Sequence, residues 1–152
     1  MSKSIKFKNN NYLDTSSITH GQVTLDNILN NKIIYESGSN ENGEYIKYAD
    51  GTMICTQQIE LTNISINATW GAWYTYVESG TNYHYFPQQF TEVNSFHIDI
   101  LNQGTGNFGF IVGDTGRRKV DTEKWTGIAL IRPTSATGVN ATLCVTAIGR
   151  WK

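Results

Sequence analysis

"ENGEYIKYADGTMICTQQIEL", residues 41–61, decides the fold class of this chain. The pair Asp50-Gly51 stands between two runs in which apolar and polar residues alternate. Alternation with a period of two marks a half-buried strand, and Asp and Gly tolerate the positive φ of a tight hairpin turn. The pair therefore predicts a two-residue type I′ turn, with Ala49 opposite Thr52, Tyr48 opposite Met53 and Ile46 opposite Cys55. In that register Ile46, Tyr48, Met53 and Cys55 share one face, and Tyr45, Lys47, Ile54 and Thr56 share the other.

Outward from this hairpin the same grammar repeats. Short strand signals fall near 44–49, 52–61, 64–69, 72–78, 94–102, 107–113, 117–121, 125–132 and 139–149. Turn signals separate them at Asn63, Gly71, residues 79–82, residues 104–106, residues 113–116 and Thr137-Gly138. "NSFHIDIL" sets Phe96, Ile98 and Ile100 on one face and leaves His97 on the solvent side. "NATLCVTAIG" opposes Leu143, Val145 and Ala147 to Cys144, Thr146 and Ile148. So many short strands at this spacing predict an all-β fold, an antiparallel β-sandwich or jelly-roll-like head over residues 44–152.

The first part of the chain reads differently. "SIKFKNNNYLD" offers a short strand around Ile5–Phe7 and an Asn-rich turn. "VTLDNILNN" places Leu25, Ile28 and Leu29 at helical spacing behind Thr24 as N-cap. Residues 1–35 are thus expected to form a strand-helix neck or shoulder. The polar stretch "ESGSNENG", residues 36–43, is expected to link it to the head.

Composition agrees with a β-rich domain. Of 152 residues 16% are charged, well below the usual quarter. The formal net charge is −1, which gives no field to draw the chain to nucleic acid or to an anionic membrane. The N-terminus has no apolar core of a signal peptide, and no segment has the length of a membrane span. Export without a signal peptide, if the protein works outside a cell, then needs another route. Cys55 and Cys144 lie in apolar runs without zinc-ligand spacing. They read as buried free thiols, with a Cys55–Cys144 disulfide as the alternative. The sequons at Asn63, Asn67 and Asn140 are what an Asn- and Thr-rich chain yields by chance.

Catalytic signals are scarce. His20, His84 and His97 stand in unrelated contexts with no metal-ligand partner at i+2 or i+4, and no nucleophile, zinc-protease, phosphate-loop or calcium-loop pattern occurs. Carboxylate pairs such as Asp114/Asp121 or Glu36/Glu41 are of a kind a glycosidase uses, but most carboxylates are solvated surface groups. "GDTGR", residues 113–117, sits between strands and reads as a hairpin loop. The expectation is a non-enzyme with no cofactor and no metal.

The informative stretch is "TWGAWYTYVESGTNYHYFPQQF", residues 69–90. A strand over 72–78 turns Tyr74 and Tyr76 one way and Trp73, Thr75 and Val77 the other. One set faces the core. The other lies at solvent, at a subunit contact or at a ligand, and rings with polar edges suit sugars and interfaces alike. Core packing accounts for many such aromatics. As ligand-binding candidates the stretch offers Trp73, Tyr74, Tyr76, Tyr83, His84 and Tyr85. The basic cluster "GRRKVD", residues 116–121, adds Arg117 and Arg118, which are either a solvated hairpin flank or an anchor for phosphate or carboxylate.

These segments carry a family resemblance. "ENGEYIKYADGTMIC" resembles the opening of the C-terminal head domain of bacteriophage and prophage tail fibres: a polar loop, a strand over residues 45–48, then Asp50 to Ile54. "YFPQQFTEVNSFHIDI" resembles that family's Phe-Pro strand entry at Phe86-Pro87, followed by Phe90 and Val93. "AIGRWK", Ala147 to Lys152, is similar to its terminal strand. Residues 5–29 resemble a small upstream module in tail proteins of phages infecting Gram-positive bacteria. The resemblance implies a receptor-binding head, homotrimeric, attached to other tail or baseplate proteins and located in the virion tail. Its implied target is a host cell-surface glycan such as a wall teichoic acid or another cell-wall polysaccharide. A purely structural trimeric tail component is the alternative, and a polysaccharide depolymerase a third reading.

Overall fold

The computed structural model describes residues 5–6, 12–13, 34–103, 111–113 and 118–152. The helix expected within residues 24–31 lies outside them, as does the expected loop at residues 114–117. Among the described residues every regular element is a strand: β1 (Ile5–Lys6), β2 (Tyr12–Leu13), β3 (Ile34–Asn40), β4 (Gly43–Tyr48), β5 (Thr52–Ile66), β6 (Ala68–Trp70) and β7 (Trp73–Val77). There follow β8 (His84–Tyr85), β9 (Glu92–Gln103), β10 (Ile111–Gly113), β11 (Lys119–Val120), β12 (Lys124–Thr126), β13 (Ala129–Arg132) and β14 (Ala136–Arg150). All pairings are antiparallel.

The strands form a five-stranded sheet in the order β3-β4-β5-β14-β9, a four-stranded sheet β10-β13-β7-β6, a three-stranded sheet β11-β12-β8 and the pair β1-β2. One core lies between the five-stranded sheet and the two smaller ones. The large sheet contributes Met53, Cys55, Leu143, Val145 and Ala147, and the opposite layer contributes Phe86, Phe90, Trp125, Ile128 and Leu130. This is the sandwich the alternation predicts. Phe96, Ile98 and Ile100 pack on that core, with His97 outside, as "NSFHIDIL" implies.

The deciding hairpin is where expected, but its register is shifted by one. Tyr45 pairs with Cys55, Ile46 with Ile54 and Lys47 with Met53, so the loop has three residues, Ala49-Asp50-Gly51. Gly51 N–H donates to Tyr48 O at 3.0 Å, Asp50 Oδ1 accepts from Thr52 N–H, and Gly51 alone takes the positive φ, +90°. A three-residue loop with its last residue left-handed is the next common hairpin after the two-residue one. The slip exchanges faces on β4: Tyr45, not Ile46, shares the core side with Met53 and Cys55. Residues beyond the hairpin hold this register. Arg150 Nη2 donates to Asp50 O (2.7 Å), Trp151 Nε1 to Tyr48 O (2.9 Å) and Lys152 Nζ to Ala49 O (2.6 Å).

Two further expectations change, and the free cysteines are borne out. Residues 36–43 are not a linker: β3 runs through Asn40 and pairs with β4, so the large sheet begins at Ile34. β3 has no apolar alternation because it is an exposed edge held by backbone bonds. Asn63 does not end a strand. It sits at φ +53° in a register shift of the long β5–β14 ladder, where Asn140 Oδ1 accepts from its N–H. The cysteines are free and lie on opposite faces, with Cys55 on the core side opposite Ala147 and Cys144 on the outer side opposite Asp99. Burial pushes the Cys55 thiol up to about 12, which leaves it an inert small hydrophobe.

Candidate functional site

The three-stranded sheet brings the chemistry together. β11 and β12 pair Lys119 with Thr126 and Val120 with Trp125, and β12 and β8 pair Lys124 with Tyr85 and Trp125 with His84. Period-two alternation then separates two faces. The inner face holds Val120, Trp125 and His84. The outer face holds Lys119, Asp121, Lys124 and Thr126 beside Tyr85 and, one step further along the register, Tyr83.

The inner face is anchored in the core. Trp125 is buried and packs on Phe96 at 5.1 Å between ring centroids, and the His84 ring stacks on it at 4.3 Å. Glu78, itself buried, accepts from His84 Nε2 at 2.9 Å and from Asn82 Nδ2 at 3.5 Å. Gln57 ties this small sheet to the large one. It projects from the core side of β5, donates to Asn42 O and Tyr85 O, and accepts from Trp125 Nε1, each at 2.7 Å. A buried amide with all three bonds made fixes one arrangement of three separate chain segments.

The turn between β11 and β12 fixes the charges. Asp121 Oδ1 accepts from the N–H groups of Glu123 and Lys124, both at 2.8 Å, and Asp121 N–H donates to Lys124 O. This is the preference of Asp for the first position of a type I turn. The bonds from Glu123 and Lys124 hold the Asp121 carboxyl below its usual range, against a smaller opposing effect of burial. Glu123 O and Thr122 O accept from Phe86 N–H and Phe90 N–H, which ties the turn to the Phe-Pro segment.

On the outer face the Lys124 ammonium lies 4.8 Å from the Tyr83 ring centroid and 5.6 Å from that of Tyr85. Both rings are solvent-accessible, Tyr83 at 51% and Tyr85 at 43%. A cavity of about 170 Å³ opens here, lined by Tyr83, Lys119, Asp121, Lys124, Trp125 and Thr126. Wider hollows of about 510 and 550 Å³ lie along Cys144 on the other side of the large sheet and have no Trp, Tyr or Phe in their lining. One exposed ring, that of Tyr83, two lysines and a carboxylate converge in the smaller one. Among the described residues no cluster of His, Cys, Asp and Glu is arranged to hold a metal.

The predicted site residues divide accordingly. Tyr83 and Tyr85 come together on the outer face, while His84 between them turns inward to Glu78 and Trp125. Tyr74 and Tyr76 sit on β7, partly buried against the core, where burial raises the Tyr76 hydroxyl. Trp73 is paired with Trp70 across the Gly71-Ala72 turn, and both indoles are exposed. Thr75 is nonetheless buried, so β7 is covered on both faces at its middle. Arg118, half-buried, precedes β11, and Arg117 lies outside the described residues; Lys119 is the basic residue of that cluster that lines the cavity. Sequence reasoning missed Lys124 and Thr126, and named Asp121 only as half of a carboxylate pair with Asp114. The one available signal was "DTEK", a two-residue hairpin turn opening with Asp, which sets a lysine two positions before Thr126.

No protein-family model matches the chain, and no curated protein matches it. Among solved structures it is similar to an N-truncated R1-type pyocin tail fibre, with a TM-score of 0.45 and 16% identity over 85% of this chain and 98% of that one. It is also similar to a C-terminal fragment of the P. aeruginosa R1 pyocin fibre, with a TM-score of 0.45 and 17% identity over 90% of this chain and 37% of that one. No helix of the described residues is long and apolar enough to cross a membrane.

Proposed function

We propose that this chain is the head of a phage-type tail fibre and binds a host cell-surface glycan through the outer face of the β8-β12-β11 sheet. One observation carries the reading: Tyr83 and Tyr85 are held exposed beside Lys124 by a sheet whose other face is locked into the core. Flat rings with wet edges stack on sugar rings, and fixed rings lose little entropy on binding. The resemblance of residues 41–55, 85–100 and 147–152 to tail-fibre heads supports the same reading. On this proposal the protein is a non-enzymatic, homotrimeric component of the virion tail, joined to other tail or baseplate proteins. Its target is a wall teichoic acid or other cell-wall polysaccharide of a Gram-positive host, and three heads on one fibre gain avidity. The test is binding of the fluorescently labelled chain to a panel of Gram-positive cells and purified wall polysaccharides. Tyr83→Ala with Tyr85→Ala is expected to abolish it, and undiminished binding by that variant would sink the proposal.

A second reading, a structural tail component without glycan affinity, is favoured by Trp70 and Trp73, which expose two indoles on one turn. Trimer contacts made by these rings predict that Trp73→Ala lowers the mass in solution measured by light scattering. A Trp73→Ala protein that is still trimeric counts against it.

A further inference from the structure

The outer face of the three-stranded sheet is a small grid. One row runs Lys119, Thr126, Tyr83 and the next Asp121, Lys124, Tyr85, by the observed pairings and their continuation. Two ammonium groups therefore meet one carboxylate, and that carboxylate is already engaged by two backbone N–H groups. Lys124 is held over the tyrosine rings, whereas Lys119 is exposed. The cavity is left with excess positive charge beside an aromatic wall.

Thr126 supplies an independent observation. It lines the same cavity and is only 1% exposed, yet its Oγ1 has no hydrogen-bond partner. A buried hydroxyl without a partner is costly and is uncommon in folded proteins. Its Oγ1 is closed off from solvent, so a ligand oxygen would give it one only once the side chain turns about χ1 toward the cavity. The size is also selective: about 170 Å³ is close to the ~150 Å³ that holds one benzene ring in an engineered cavity, so one six-membered ring fits.

We propose that this cavity takes one acidic sugar unit, its anionic group held by Lys119 and Lys124, its ring against Tyr83, and one of its oxygens bonded by Thr126 Oγ1. The anion is a carboxylate or a phosphate ester, either of which offers anionic oxygens to an ammonium. The inference rests on the glycan-binding reading above and narrows it to an acidic repeat unit.

The experiment follows backbone amide shifts of the isotope-labelled full chain during titration with D-glucuronate, D-glucose 6-phosphate, D-glucose and inorganic phosphate. Amides of residues 83–85 and 119–126 are expected to move with glucuronate or glucose 6-phosphate at concentrations about tenfold below those needed for glucose. A response to glucuronate alone assigns the anion as a carboxylate, and a response to glucose 6-phosphate alone assigns it as a phosphate. Lys124→Gln should weaken binding about tenfold and so should Thr126→Val. Thr126→Val removes only the unpartnered hydroxyl, so its melting temperature should not fall, which separates loss of ligand from loss of fold. Equal responses to glucose and to the acidic sugars would overturn the acidic-unit inference and leave the glycan-binding reading standing. Inorganic phosphate binding as well as glucose 6-phosphate would overturn the sugar-ring contact. If no probe moves these amides and the chain still binds cells, the cavity is not the site; if it binds no cells either, the glycan reading falls with it.

Discussion

β5 and β14, each 15 residues long, lie side by side over nearly their whole length and bury Met53, Cys55, Leu143, Val145 and Ala147 between two layers. β8, β11 and β12 have two or three residues each and, Thr126 apart, bury only the face that carries Trp125. The long ladder is stable through its own alternation. The short sheet is too small to stand alone and depends on Gln57, Trp125 and the turn carbonyls at Thr122 and Glu123. The face proposed to bind glycan sits on the part of the molecule that depends on the rest for its fold. A small sheet pinned at a few points can present exposed Tyr83 and Tyr85 without losing their positions.

The strongest test of this division is Gln57→Leu. It removes three bonds at once and orphans the buried Trp125 Nε1, at ~1–3 kcal/mol, together with the part-buried Asn42 O and Tyr85 O. Urea denaturation is expected to show a loss of roughly 3 kcal/mol or more, with ligand binding lost too. Retention of the wild-type midpoint would mean that the small sheet does not hang on the large one. Next comes Gly51→Ala, which strains the +90° φ and sets a Cβ 2.7 Å from Arg150 Nη2. A loss of about 1–2 kcal/mol is expected from the left-handed backbone alone, with ligand affinity unchanged because Gly51 belongs to the large sheet. An affinity loss would blur the comparison.

Tyr83→Ala and Tyr85→Ala should do the reverse. Exposed truncations change stability by within ~0.5 kcal/mol, while affinity for the host glycan should fall at least about tenfold each, near 1.4 kcal/mol. The smallest effect concerns Asp121. Its folded-state pKa lies below the ordinary aspartate value of ~3.9, so the associated stability is present above that value and is lost as pH falls through the folded pKa. Thermal melts between pH 5 and pH 2.5, a range set about that value, should show a shallower acid decline for Asp121→Asn than for the parent. Parallel curves would show that the turn carboxylate contributes nothing to the pH dependence.

Particular residues show how far the sequence could be read. The alternations around Phe96, Ile98, Ile100 and around Leu143, Val145, Ala147 placed the core correctly, because a strand with one buried face writes that face into every second residue. Asp50-Gly51 marked the hairpin but not its loop length, since Asp-Gly suits both two- and three-residue loops. The contacts of Arg150, Trp151 and Lys152, a hundred residues away in sequence, accompany the longer one. β3 escaped notice because an exposed edge strand needs no apolar pattern. Within the site, Tyr83 and Tyr85 were legible as an aromatic cluster. Lys124 and Thr126 were not, because only the pairing of β12 with β8 puts them beside those rings.

By itself, then, the sequence determined an all-β sandwich, the core-facing residues of β9 and β14 and the position of the Asp50-Gly51 turn, all of which follow from local alternation and turn chemistry. Tertiary structure alone decided the hairpin register, the separation of Cys55 from Cys144, the inward turn of His84 and the union of Tyr83, Lys124 and Thr126 in one cavity. Each of those depends on which strand lies next to which. That is a property of long-range hydrogen bonding and packing that no local stretch encodes.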